Sequence, residues 1–108
     1  MIKIKNIKRF MFLCLFVLLP NVALAHSPFF MCEYDDGKIH CEGGYSDGSS
    51  ASGVKIKLMN DDGKVLEEKK LDKLSSVSFD KPNMNFYILF DGGTGHSVEV
   101  EMGDISGL

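Results

Sequence analysis

The chain has 108 residues, with 12 Lys and Arg against 15 Asp and Glu and a net charge of −3. An acidic chain argues against nucleic acid or an anionic membrane surface as its partner. Its length limits it to one small domain with a modest core.

Residues 1–25 have the pattern of a cleaved secretory leader. Basic side chains cluster in the first nine positions, and an apolar stretch occupies residues 10–19. That stretch is about half of the roughly 20 residues that a bilayer-spanning helix requires, which argues against the alternative of a retained membrane anchor. Ala23-Leu24-Ala25 supplies the small residues that signal peptidase accepts, so we expect cleavage after Ala25.

Removal of this segment leaves residues 26–108 as a single, more acidic domain. Eight lysines remain against all 15 acidic residues, so the net charge becomes −7. Such a surface is compatible with binding cations. We expect the mature protein to be periplasmic or secreted, without membrane insertion.

Two cysteines remain in the mature chain, Cys32 and Cys41, because Cys14 falls within the predicted leader. An even pair in an exported chain predicts a disulfide. Asp36-Gly37 lies between them and is a strong hairpin turn signal, which would bring the two cysteines opposite each other. The alternative is a thiolate metal site, which an oxidising compartment disfavours.

Apolar and polar residues alternate through most of the mature chain, and no window keeps a helical period. Besides the cysteine hairpin, strands are predicted at 54–58, 64–71, 77–79, 86–90 and 98–102. The polar 64–71 segment fits an edge strand, and 86–90 fits a central strand because both of its faces are apolar. This pattern predicts an all-β fold, a small antiparallel β-sandwich of immunoglobulin-like or transthyretin-like type. A small open barrel is the alternative.

Catalytic motifs are scarce. The glycine-rich segment 43–53 lacks the lysine and following helix of a phosphate-binding loop, and we interpret it as a flexible connection between strands. The serines form no Gly-x-Ser-x-Gly elbow. We therefore predict no enzyme.

Three histidines are the candidate metal ligands: His26, His40 and His96. After cleavage His26 would be the first residue, and its α-amine and Nδ1 could chelate a transition metal together. His96 follows three glycines in the segment 91–97, which allow an unusual backbone path. His40 points outward if Cys41 points inward, because side chains alternate along a strand. An incidental loop residue at His96 and a surface residue at His40 remain the alternatives.

The donor types at these positions suit Cu(II), Ni(II) and Zn(II), and we expect nickel or copper. Met31 offers a thioether for Cu(I), with a core position as the alternative. Glu42, Asp47 and Asp91 are candidate oxygen donors or partners of the histidines, with solvated loop charge as the alternative.

The layout of the mature chain carries a family resemblance. It runs from His26 through Gly53-Val54-Lys55-Ile56-Lys57-Leu58 and Asp62-Gly63-Lys64-Val65-Leu66 to Phe90-Asp91-Gly92-Gly93-Thr94-Gly95-His96-Ser97-Val98-Glu99-Val100. It resembles small periplasmic proteins and domains associated with nickel and cobalt uptake, and their carboxypeptidase-regulatory-like relatives. Those carry a similar glycine-rich segment ending in histidine before the last strand. The resemblance covers most of residues 26–105 and implies metal handling outside the cytoplasm.

Two departures from related patterns stand out. Nickel-uptake members commonly continue into a C-terminal membrane segment, whereas this sequence stops at Leu108, so we expect a freely diffusing form. A copper-carrier family with an N-terminal histidine has an Asp-x-His near its end, whereas Thr94 stands two residues before His96 here. The metal is therefore not specified by the resemblance.

These observations predict a periplasmic metal carrier or uptake accessory, with a metal ion as ligand and a membrane metal transporter as a candidate partner. The alternative is a binding or structural module without metal. Its contact surface would be the 43–53 loop and the aromatic residues Phe29, Phe30, Tyr34 and Tyr45. An oxidative copper enzyme is a third hypothesis, which the small size of the chain disfavours.

Overall fold

A computed structural model describes residues 26–108, so the predicted leader lies outside the described residues. Residues 26–108 form seven strands: β1 Pro28–Asp35, β2 Lys38–Tyr45, β3 Lys55–Asn60, β4 Val65–Lys70, β5 Ser76–Asp80, β6 Phe86–Asp91 and β7 Ser97–Glu101. A 3₁₀ turn, Met102–Asp104, follows β7. Within residues 26–108 no helix has the length and apolar character needed to cross a membrane.

The strands form two antiparallel sheets, with the order β1-β2-β5 in one and β4-β3-β6-β7 in the other. Buried side chains from both sheets belong to one apolar core. Phe30 of the first sheet, for example, lies 5.5 Å from Phe90 of the second, measured between ring centroids. The prediction of an all-β fold with two packed sheets is confirmed.

A tight turn and a disulfide fix the register of the hairpin formed by β1 and β2. Asp36 and Gly37 have φ angles of 49° and 79°, the left-handed values of a tight two-residue hairpin turn. This turn sets Cys32 directly opposite Cys41, and the two form the predicted disulfide. Both cysteines are buried, so the bond lies on the core side and His40 projects to solvent, as predicted.

Bulky side chains fill the space between the sheets. The largest of the fully buried ones are Phe79, Phe86, Phe90, Ile39, Ile56 and Ile88. Gly43 of β2 leaves room for them, because a Cβ added there would lie 2.9 Å from a ring carbon of Phe90 and 3.1 Å from Leu71 Cδ1. The missing side chain of Gly43 is therefore part of the packing.

The two open sides of the sandwich are closed differently. On one side the C-terminal segment runs beside β1, where Tyr34 N donates to Ser106 O and Ser106 N donates to Cys32 O. On the other side Lys69 of β4 reaches across to β5. Its Nζ donates to Ser78 O over 2.6 Å and lies 5.1 Å from the centroid of the Phe79 ring.

Several predicted boundaries differ from the structure. The loop predicted from residue 43 begins at Ser46, because Gly43, Gly44 and Tyr45 continue β2. The last strand ends at Glu101, and Met102 starts the 3₁₀ turn instead. The prediction of 64–71 as an edge strand and of 86–90 as a central strand is confirmed, although only one face of β6 is fully buried.

Substitution of Gly43 tests the packing. We expect Gly43→Ala to lower the free energy of unfolding by about 1–3 kcal/mol, because the added methyl group overpacks the core. Gly103→Ala is the matched control, since a Cβ there meets no atom within 4 Å. Urea unfolding of both variants measures the difference, and equal midpoints would show that the core accommodates the methyl group.

Candidate functional site

The beginning of the described chain is fastened to the end of β2. Ser27 N donates to Ser46 Oγ over 2.9 Å, and Ser46 N donates to Ser27 O over 2.8 Å. Pro28 lies opposite Tyr45 in the β1–β2 register. His26 is therefore held beside the first turn that follows β2.

Asp47 in that turn orients the ring of His26. Its Oδ2 lies 2.7 Å from His26 Nδ1, and its Oδ1 accepts hydrogen bonds from the amide and hydroxyl of Ser49, over 3.0 and 2.6 Å. The bonds from Ser49, together with the one from His26, hold the pKa of the Asp47 carboxyl well below its usual range. An ionised carboxylate only accepts hydrogen bonds, so His26 donates from Nδ1.

Tyr45 provides a flat support for the same ring. The rings of His26 and Tyr45 are stacked, with centroids 4.3 Å apart and planes inclined by 13°. Tyr45 is half-buried and meets Phe90 edge-on at 6.2 Å, which ties it to the core. The orientation of His26 is thus set by one hydrogen bond and one stacking contact.

His96 reaches the same place from the β6–β7 turn. Gly93 and Gly95 have φ angles of 96° and 78°, which β-carbon-bearing residues rarely adopt. His96 N donates to Gly93 O over 2.9 Å, and Gly92 N donates to His96 O over 3.1 Å. The three-glycine segment was predicted to hold His96 at a defined place, and these two bonds close the turn around it.

The two histidine rings meet at this end of the sandwich. Their centroids are 5.7 Å apart with an interplanar angle of 67°, and His96 also lies 6.2 Å from Tyr45. We call His26, Tyr45, Asp47 and His96 the histidine cluster. His26 and Asp47 remain accessible, since their side chains are 49% and 37% exposed.

Both histidines use Nδ1 within the protein. His96 Nδ1 lies 3.2 Å from Thr94 O, and a carbonyl oxygen can only accept, so this nitrogen carries the proton. His26 Nδ1 carries one in the same way, towards Asp47. In the neutral form of each ring, Nε2 then keeps a free lone pair for a ligand.

The structure separates His40 from this cluster. His40 is five residues before Tyr45 on β2, or about 17 Å along the strand, and it projects from the opposite face of the sheet. Its Nδ1 lies 2.6 Å from Ser78 Oγ. Met31 and Glu42 are on the same solvent-facing side as His40 and line a groove with it.

Asp91 lies at the end of β6 and pairs with a lysine. Its Oδ2 is 3.1 Å from Lys57 Nζ, and its Oδ1 is 3.4 Å from the amide of Gly93 in the His96 turn. These two bonds, that of Lys57 first, lower the pKa of the Asp91 carboxyl. Asp91 therefore supports the turn rather than facing the histidines.

Residues 26–108 contain no group of three or more His, Cys, Asp and Glu side chains arranged to hold one ion.

The stacking of Tyr45 on His26 was not predicted from the sequence. The inward position of Tyr45 in β2 follows from the same alternation of side chains that buries Cys41.

Comparisons with known proteins add no assignment. No protein-family model matches the chain, and no curated protein or solved structure is significantly similar to it.

The Asp91–Lys57 pair makes a testable contribution to stability. A carboxyl with a lowered folded pKa stabilises the protein above its unfolded pKa of about 3.9, and this contribution disappears as the pH falls through the lower folded value. We therefore expect Asp91→Asn to be less stable than the unsubstituted protein at pH 7, with a gap that narrows at acidic pH. Urea midpoints between pH 7 and pH 2 measure it, and a constant gap would contradict the ion pair.

Proposed function

We propose that residues 26–108 form an exported metal-binding protein, a nickel or copper carrier or uptake accessory, that binds its ion at the histidine cluster. The observation that supports this most strongly is the approach of His26 and His96, 70 positions apart in sequence, to 5.7 Å between ring centroids. No catalytic step is part of the proposal.

This separation fits two ligands of one ion. Metal–imidazole bonds of about 2.0–2.1 Å put the ion about 3.2 Å from each ring centre, so two histidines on one ion have centroids at most about 6.4 Å apart. Asp47 and Thr94 support ligation through Nε2 of the two rings, because ligating histidines usually donate their other ring nitrogen to a carboxylate or a carbonyl. His26 does the first and His96 the second.

A third donor would come from the α-amine of His26 once the chain is cleaved after Ala25. Two imidazoles alone leave a copper or nickel site short of the three or four nitrogen donors that suit these ions. The amine and Nδ1 of one residue can form a chelate. This is a second coordination mode, in which the His26 ring turns away from Asp47 and gives up the hydrogen bond between them. In the orientation that the structure shows, Nδ1 of His26 is bonded to Asp47 and Nε2 is the nitrogen available to an ion.

Other properties agree with a role outside the cytoplasm. The Cys32–Cys41 disulfide suits an oxidising compartment, and the acidic mature chain attracts cations. We propose a cleaved leader, a periplasmic or secreted location and a membrane metal transporter as the partner. We also propose that the sandwich is of immunoglobulin-like or transthyretin-like type.

The role of His96 is tested by titrating Ni(II) and Cu(II) into protein that begins at His26. We expect one ion per chain and at least a tenfold weaker affinity in His96→Ala, because one of two imidazoles is lost. His40→Ala is the matched control and should bind as the unsubstituted protein does. Isothermal titration calorimetry gives both constants, and equal affinities in the two variants would remove His96 from the site.

The role of the α-amine is tested separately. Acetylating the α-amine of His26 should weaken Ni(II) binding strongly, because the chelate between the amine and the ring is lost. Calorimetry on the blocked and unblocked proteins measures the change. Unchanged binding would show that the ion is held by the two rings alone.

A further inference from the structure

The solvent-facing side of the β1-β2-β5 sheet has an unusual composition. We call it the outer face; its positions are Phe29, Met31, Glu33, Asp35, Lys38, His40, Glu42, Gly44, Ser76, Ser78 and Asp80. The open face of an antiparallel sheet is normally polar along its whole length. Here one end is apolar, since Phe29 is 46% exposed and Met31 is 65% exposed.

The apolar end continues onto the neighbouring loop. Leu74, the most exposed large apolar residue among residues 26–108, is 83% exposed and lines a groove of about 270 Å³ together with Phe29 and Gly44. Three large apolar side chains are thus displayed towards one end of the outer face. Clustered exposure of this kind marks contact sites more often than exposure of single residues does.

Phe29 is held in place rather than left free. Its ring lies over Gly44, where an added Cβ would be only 2.6 Å from Phe29 Cζ. The absence of a side chain at Gly44 therefore lets the Phe29 ring pack against the backbone of β2. A side chain fixed before binding loses little rotamer entropy when a partner covers it.

The remainder of the outer face is acidic. A groove of about 420 Å³ runs along Met31, Glu33, His40 and Glu42. Among the strand positions of this face Lys38 is the single basic residue apart from His40, and its Nζ is already paired with Asp80 over 2.6 Å. Lys69 of β4 reaches the β5 margin of the face at Ser78 O. Among the ion pairs of residues 26–108, none involves Glu33, Asp35 or Glu42.

We propose that the outer face is a docking surface for a protein partner that presents a basic surface with apolar side chains at one end. Charge complementarity selects this occupant. The unpaired carboxylates would attract lysine and arginine and speed the encounter, whereas a second copy of this chain would bring the same carboxylates face to face. Phe29, Met31 and Leu74 would supply the apolar contacts. The groove at the apolar end of this face borders the histidine cluster at Tyr45, but the proposal does not require a bound metal ion.

Photo-crosslinking of the full chain, in the cells that produce it, tests the surface. p-Benzoylphenylalanine is placed at Met31 and, as a matched control, at Met84, which is 53% exposed and lies in the β5–β6 loop. We expect a product with another protein from position 31 but not from position 84. Mass spectrometry should map the crosslink to a segment rich in lysine and arginine.

Charge variants test the electrostatic part. Removing the two carboxylates, with Glu33→Gln and Glu42→Gln together, should lower the yield from position 31 at least fivefold. The pair Glu67→Gln and Glu68→Gln on the exposed strand β4 removes the same charge elsewhere and should leave the yield unchanged. Leu74→Ser should lower it as well, while the exposed Leu66→Ser on β4 should not.

Four results would overturn the proposal. These are equal yields from positions 31 and 84, no product from position 31, a product with a second copy of the chain, and a crosslink to an acidic segment. None of these results bears on metal binding, which the titration measures separately. Failure of the docking surface and failure of the metal site are therefore distinguishable.

Discussion

Cys32 lies directly opposite Cys41, and their bond holds β1 and β2 in a single register. In a strand, a slip of one residue turns every side chain to the other face. Such a slip would expose Phe30, bury Met31 and carry Ser27 away from Ser46. The position of His26 and the composition of the outer face therefore depend on the same constraint, a pairing of two strands fixed on the core side.

Local patterns predicted the architecture well. Alternation identified the strands, Asp36-Gly37 identified the hairpin, and the polar pattern of residues 64–71 identified an edge strand. Strand ends were harder, because Gly43 and Gly44 are typical of loops but serve here as space for Phe90 and Phe29. That role depends on residues from another strand or from the other sheet, which no local pattern reports.

The histidine cluster was predicted in part for a similar reason. His26 and His96 were proposed from the chemistry of their side chains and from the glycines before His96. The distance between them depends on the tertiary fold, which puts the open end of the β1–β2 hairpin beside the β6–β7 turn. Asp47 was one of several candidate carboxylates, and only its contact with His26 distinguishes it from Glu42 and Asp91. Tyr45 joined the cluster through packing on Phe90, which spacing alone does not encode.

Lys69 has a consequence for solubility. The backbone groups along the free side of β5 form a template to which a strand of another molecule can add, the usual route to edge-to-edge polymerisation. Lys69 occupies one acceptor in the middle of that edge, at Ser78 O, and its ammonium group stands over Phe79. An incoming strand would have to displace this charge, so Lys69 opposes edge-to-edge growth of the β1-β2-β5 sheet.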